Sequence, residues 1–211
     1  MKYQLRDYQK KASDAAVMCF KMKSGRNGLL VLPTGAGKSL IIADIAARLE
    51  EPLIVFQPNK EILEQNFAKL QTYGIWDCSI YSASVGRKEI SRITFATIGS
   101  VIRHMKDFQH FKNILIDECH LVKPSDGMYK RFFEQAERRI VGLTATPYRL
   151  YSCMNGSMLK FLTRTRPRVF SQVLYYCQVS ELLAKGFLSR LKYYDVTRID
   201  LPKVRRNSSG A

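Results

Sequence analysis

The chain has 211 residues, 46% of them hydrophobic, and 34 Lys+Arg against 18 Asp+Glu, a formal charge of +16. That length and apolar content suit one sizeable buried core and exclude a disordered or collagen-like chain. The charge excess predicts attraction to a polyanion, nucleic acid or an anionic membrane surface, with simple solubility as the alternative.

Residues 1–150 hold 23 basic and 15 acidic side chains and residues 151–211 hold 11 and 3, so the shorter C-terminal stretch carries the denser positive charge. Cys19, Cys78, Cys119, Cys153 and Cys177 are widely spaced and never form C-x-x-C, which suggests neither a zinc site nor a disulfide framework. No apolar run approaches the ~20 residues that span a bilayer. The opening MKYQLRDYQK lacks the apolar stretch of a secretory signal, so no membrane association and a cytoplasmic location are expected.

In chain order, GLLVLP (28–33) is the first short β-rich apolar run, and KSLIIADIAARLEE (38–51) follows with apolar residues at helical period. PLIVFQ (52–57) is the second run. NKEILEQNFAKLQTYG (59–74) then reads as a helix capped by Asn59 and ending near Gly74. RITFAT (92–97), NILID (113–117) and RIVGLT (139–144) complete a set of strands apolar enough to be buried on both faces. Strands alternating with helices predict an α/β fold, a mostly parallel central sheet flanked by helices. Beyond Pro147 helical and strand readings both stay open. VSELLAKG (179–186) reads as a short helix stopped at Gly186, followed by an extended segment, and 201–211 reads as a disordered tail or linker stub.

Ligands in such sheets bind at the carboxyl ends of the strands, and the polar motifs fall there. PTGAGKS, comprising Pro33, Thr34, Gly35, Ala36, Gly37, Lys38 and Ser39, follows the first strand and opens a helix. Glycines let backbone N–H groups converge on phosphate, the helix N-terminus adds its positive end, Lys38 reaches outer phosphates and Ser39 offers a hydroxyl to Mg²⁺. The strict pattern G-x-x-x-x-G-K-[ST] would place glycine where this chain has Leu32. At the end of NILI, Asp117 and Glu118 point in different directions and divide the work: Asp117 for the metal, Glu118 for the attacking water. His120 and the hydroxyls of Thr144 and Thr146 sit at strand ends where they can bond to each other or to Glu118 and relay nucleotide state.

Taken in order, LRDYQ (5–9), LPTGAGKS (32–39), FQPNKEILEQ (56–65), FATIGS (95–100), DECH (117–120) and LTATPYR (143–149) resemble the motifs of the first RecA-like domain of superfamily 2 helicases and translocases. The resemblance implies that Arg6 and Gln9 read the adenine of ATP. It places Pro58, Asn59, Lys60, Gln65, Thr97 and Ser100 on the sugar-phosphate backbone of a nucleic acid. DECH with TAT differs from the DEAD and SAT of DEAD-box RNA helicases and favours DNA over RNA. VLPTGAGKS, DECH, GLTATPYRL and ELLAKGFLSRLKYYDV resemble bacterial RadD/YejH-type helicases and ResIII-type restriction motor subunits.

The expected domain therefore spans 1–200, with core motifs in 5–149 and a basic extension in 150–200. Nothing after Thr146 resembles the arginine motif of a second RecA-like domain, and RTRPR (164–168) lacks its glutamine and glycine framework. The expectation is half a motor, weak as an ATPase alone. An RNA helicase domain, or a nucleotide-dependent binding module without motor activity, remain the alternatives; a metabolic P-loop kinase would leave LRDYQ, TATP and the charge without a role.

Overall fold

The computed structural model describes residues 4–22, 26–153 and 156–190. Helix α1 (Asp7–Lys21) comes first. Its start is held by Gln9, whose Oε1 accepts from Arg6 N at 2.9 Å, and its buried residues Tyr8, Ala12, Ala16 and Phe20 recur at helical spacing. There follow β1 (Gly28–Val31), α2 (Lys38–Arg48), β2 (Leu53–Phe56), α3 (Lys60–Thr72), β3 (Cys78–Ser82), β4 (Arg87–Lys88), β5 (Ile93–Ala96) and the single-turn α4 (Ile98–Val101). β6 (Asn113–Ile116), α5 (Met128–Phe133), β7 (Arg139–Thr144), β8 (Tyr148–Cys153), β9 (Gly156–Phe161), β10 (Gln172–Tyr176) and α6 (Val179–Ala184) complete the order.

Eight strands form one sheet in the order β10-β1-β7-β6-β2-β5-β3-β4, while β8 and β9 make a separate hairpin. Every pairing in the large sheet is parallel except β3 with β4. Adjacent residues of one strand feed opposite faces: Leu30, Val55, Leu115 and Val141 join the core under α1, α2 and α3. Leu29, Ile54, Ile114 and Ile140 join a second core with Phe108, Phe111, Phe132 and Phe170. This two-sided burial, about 1.5–3 kcal/mol for each large apolar side chain, is why these strands read as unbroken apolar runs.

The five expected strands and two central helices are present, β7 with the expected bounds and the others slightly tighter. Asn59 caps α3, its Oδ1 accepting from Ile62 N at 2.9 Å, and Gly74, at φ +75°, lies two residues beyond the last helical residue. Sequence periodicity did not reveal α1, β3 or β10. The open stretch after Pro147 is the β8–β9 hairpin and then β10, which adds to β1 as an edge strand. The short helix before Gly186 is α6. The segment expected to be extended after Gly186 instead bends back at Phe187 and Leu188, whose N–H groups both donate to Leu182 O at 2.8 and 3.3 Å, and the remainder and tail over 191–211 lie outside the described residues.

Candidate nucleotide and nucleic-acid site

β1, β7 and β6 are neighbours in the sheet, so their carboxyl ends deliver three loops to one place. Leu32 N donates to Thr144 O at 2.9 Å, carrying the pairing of β1 and β7 into the loops, and Asp117 N donates to Phe56 O at 3.0 Å. Gly35 and Gly37 adopt φ +81° and +78°, and a Cβ on them would stand 2.9 Å from Leu188 Cδ2 and 2.5 Å from Gln9 Nε2. The left-handed backbone favours glycine there, and a methyl group would also displace the side-chain tips of Leu188 and Gln9. Leu32, where the strict pattern has glycine, is buried in the core. The loop is braced from α1: Ala36 O accepts from Tyr8 Oη and from Gln9 Nε2, each at 2.9 Å. Helix α2 begins at Lys38, directing its positive end at the loop.

The Lys38 ammonium pairs with Glu118 Oε1 across the two strand ends. Glu118 has φ +47°, the one non-glycine residue in the left-handed region among the described residues. A residue so held costs of order 1–3 kcal/mol and persists where its surroundings fix it. Its other oxygen lies 3.3 Å from His120 Nδ1, and that nitrogen is 3.0 Å from Thr144 Oγ1. The Thr144 hydroxyl donates to Thr146 O at 3.2 Å and accepts from Thr146 N at 3.0 Å. With that proton committed, Thr144 Oγ1 accepts from His120 Nδ1–H. A continuous polar chain thus runs from Lys38 through Glu118, His120 and Thr144 to Thr146.

Asp117 turns inward, 5% exposed, its Oδ1 accepting from Glu118 N at 3.0 Å and its Oδ2 from Asn66 Nδ2 at 3.2 Å. Burial pushes its carboxyl above the ordinary range, and the nearby Lys38 opposes the shift. Cys119, fully buried beside them, has a thiol raised well above its usual value by burial, so it is inert packing.

Other expected residues are placed with equal definition. The Arg6 guanidinium lies over the Phe187 ring, 4.2 Å from its centroid. Gln9 is buried, its amide oxygen and nitrogen facing Arg6 N and Ala36 O, so the residue expected at the adenine edge braces the phosphate loop in this structure. Pro33 and Thr34 border a cavity of about 1210 Å³ that reaches Leu183, Leu188 and Arg190. Phe187 and Leu188 were not singled out from sequence: Leu188 touches the phosphate loop only because the chain turns back at Gly186.

A separate groove of about 510 Å³ gathers Pro58, Asn59, Lys60, Thr97 and Ser100, and joins to them Lys88, Arg103 and His104, which no motif marked. The hydroxyls are tied inward: Ser100 Oγ accepts from Ala83 N at 2.8 Å and lies 2.9 Å from Thr97 Oγ1. Gln65 is exposed on α3 and does not line this groove. Among the described residues no group of three or more His, Cys, Asp or Glu side chains can hold a metal, and no helix is long and apolar enough to cross a membrane.

Comparison with known proteins agrees with this geometry. A DNA 3'-5' helicase XPB of Kineococcus radiotolerans is 30% identical over 212 residues, covering 96% of this chain and 35% of that protein. A DNA 3'-5' translocase XPB2 of Sulfurisphaera tokodaii is 29% identical over 151 residues, covering 70% of this chain and 32% of that one. This chain therefore spans about a third of the length of these relatives. A nuclease-deletion mutant of the Type ISP restriction-modification enzyme LlaGI, solved with a DNA substrate mimic, superposes with a TM-score of 0.63 at 16% identity over 88% of this chain and 21% of that one, which shows the shared fold. The family described as Type III restriction enzyme, res subunit, matches residues 2–149, and the chain, with its glycine loop, acidic strand end and threonine loop on adjoining strands, belongs to that family.

Proposed function

We propose that this chain is the first RecA-like, ATP-binding half of an ATP-dependent DNA helicase or translocase, most akin to RadD/YejH-type and restriction-motor proteins. The observation that carries this reading is the meeting of Lys38 with Glu118 at the mouth of a loop whose left-handed backbone favours glycine. A lysine whose one ion-pair partner is the carboxylate of the neighbouring motif is poised to exchange it for phosphate oxygens. Converging loop amides and the α2 terminus fit a triphosphate. Asp117 and Ser39 are the residues that would hold Mg²⁺, which binds proteins through one or two such groups together with substrate phosphates; when bound it supplies charge neutralisation at the phosphates.

The chain's own residues have distinct tasks. Lys38 draws the outer phosphate oxygens and releases Glu118. Glu118, held by its left-handed backbone, then orients a water and accepts its proton. His120, Thr144 and Thr146 register whether Glu118 is paired with Lys38 or free, coupling the nucleotide to movement. Arg6, with Phe187, and Gln9 border the place of the base. Lys60, Lys88 and Arg103 draw the nucleic-acid backbone into its groove, with affinity falling steeply as salt rises because counterions are released.

A second RecA-like domain supplies arginines to the transition-state charge in such motors, a contribution of about 10³–10⁵ in rate in related phosphoryl transfer. The isolated chain therefore binds ATP and turns it over slowly, with little response to nucleic acid. Steady-state ATPase assays with and without DNA or RNA test this: slow, unstimulated turnover is expected, and motor-level stimulated turnover by the 211-residue chain overturns the half-motor reading. In a protein with both halves, stimulation by DNA and not by RNA separates this proposal from an RNA helicase.

A further inference from the structure

The β8–β9 hairpin is amphipathic in an unusual sense. Tyr148 pairs with Phe161 and Leu150 with Leu159 in the antiparallel register, so these four side chains share one face. They are 45%, 38%, 67% and 59% exposed. The opposite face carries Arg149, whose Nη1 donates to Val122 O at 2.5 Å, and Lys160, whose ammonium lies 5.1 Å from the Tyr151 ring centroid. The face of Tyr148, Leu150, Leu159 and Phe161 is thus open to solvent, while Arg149 on the other face ties the hairpin to the body; that other face also carries Met158, 51% exposed. Its base is firm: Leu162 N donates to Pro147 O at 2.8 Å, and the buried Thr165 hydroxyl bonds to Leu162 O at 3.1 Å.

Charge says what covers this face. No Asp or Glu occurs between Glu137 and Glu181, while Arg149, Lys160, Arg164, Arg166 and Arg168 all lie in that stretch. Arg164, Arg166 and Arg168 are exposed and form no ion pair among the described residues. Tyr148, Phe161, Lys160 and Arg164 border one concave surface of about 740 Å³. An apolar patch of this kind is an interaction site. Rings and methyl groups rimmed by unpaired cations suit a partner that presents flat apolar rings on a polyanionic backbone, which is the chemistry of unpaired nucleic acid.

We propose that the β8–β9 hairpin is a second nucleic-acid contact, separate from the groove at Pro58 and Thr97, on which unpaired bases stack against Tyr148 and Phe161 while the exposed Arg164 and Arg166 meet the flanking phosphates. This rests on the nucleic-acid reading above and deepens it by naming where bases are gripped.

The test is binding of a fluorescent single-stranded oligonucleotide to the 211-residue chain at low salt, compared with the doubly substituted Tyr148→Ala, Phe161→Ala chain. Both substitutions lie on the exposed face, and circular dichroism checks that the fold is kept. The double variant is expected to bind at least about fivefold more weakly, the lower end for loss of a base–aromatic stack. Tyr148→Trp, placed in a Trp76→Phe background so that it is the sole tryptophan, is expected to keep affinity and to have its fluorescence quenched by unlabelled oligonucleotide. Equal affinity of parent and double variant, or an unquenched tryptophan, overturns the hairpin proposal while the parent's binding sustains the groove. Self-association of the parent that disappears in Leu150→Ser with oligonucleotide affinity unchanged assigns the face to a second copy and overturns it as well. A parent chain that binds no oligonucleotide removes the wider nucleic-acid reading together with this one.

Discussion

Thr144 and Tyr148 are four residues apart, yet the regions they open are built in opposite ways. At the carboxyl edge of β1, β7 and β6, charged and polar groups turn toward one another: Lys38 to Glu118, Glu118 and Thr144 to His120, Asn66 to Asp117. In the hairpin, Tyr148, Leu150, Leu159 and Phe161 turn outward, and the arginines that follow it, Arg164, Arg166 and Arg168, form no ion pair among the described residues. The edge is braced within the chain itself, its geometry fixed by glycine conformation and by bonds between strand ends. The hairpin is tied to the body by Arg149 and at its base by Leu162 N to Pro147 O, and the face of Tyr148, Leu150, Leu159 and Phe161 is exposed. Preorganised electrostatics suits a reacting phosphate, whereas stacking on a projecting ribbon suits a strand of variable sequence.

The contrast predicts that a backbone substitution in the glycine loop acts on stability and nucleotide binding together. The largest effect is expected from Gly37→Ala. The left-handed backbone costs an L-residue about 1–2 kcal/mol, and the new methyl meets Gln9 Nε2, dislodging its bond to Ala36 O. Denaturant titration should show a loss of about 2 kcal/mol, with nucleotide affinity falling in parallel. A variant as stable and as tight-binding as the parent would break the claim that glycine conformation fixes the loop.

Asp117→Asn works in the other direction. The new amide can still accept from Glu118 N, and Asn66, whose Oδ1 has no partner among the described residues, can turn over to accept from it. Lys38, Glu118, Cys119 and Tyr129 are the other titratable groups coupled to this site. A gain of about 1 kcal/mol at neutral pH without nucleotide or metal is expected, of the kind that accompanies loss of function at an active site. Burial holds the Asp117 carboxyl above its unfolded value, so the protonated form stabilises the fold at low pH and that contribution is lost as pH rises through the folded pKa. The advantage of the amide is therefore present at neutral pH and fades on acidification; urea titrations at pH 7 and pH 4 read the difference. Gln57, fully buried at the end of β2 with neither amide atom partnered among the described residues, gives a similar case. Gln57→Leu is expected to raise stability by about 1 kcal/mol by removing an unmet polar group, and a loss of stability would show that the amide has a partner.

The smallest effect belongs to the hairpin. Leu150→Ser should shift stability by no more than about 0.5 kcal/mol, the range for exposed positions. A larger loss would mean that the face is packed against the protein and would erase the contrast.

The same contrast explains what could be read from sequence. The edge was legible because each of its residues is constrained by neighbours a few positions away: Gly35 and Gly37 by their φ angles, Lys38 by the helix it opens, Asp117 and Glu118 by the apolar strand before them. β10 was not, because QVLYY is partly exposed and lacks clean alternation; it becomes a strand by pairing with β1, more than a hundred residues upstream. Phe187 under Arg6, and Lys88 and Arg103 in the groove, are brought in by chain reversals that leave no local pattern. Gln9 was legible as a residue of the edge, but not the direction of its amide, which a tertiary bond to Ala36 O decides.

The account stands on Lys38 and Glu118 serving one triphosphate, and nucleotide titration of three chains tests it most directly. The parent should bind ATP·Mg, and Lys38→Ala should lose affinity by at least about a hundredfold, the loss of hydrogen bonds between a buried charge and its partner, with its melting temperature little changed. Glu118→Gln, which frees the lysine, should bind at least as tightly as the parent. Unchanged affinity in Lys38→Ala, in a chain that is folded, would contradict the assignment of this edge as a nucleotide site.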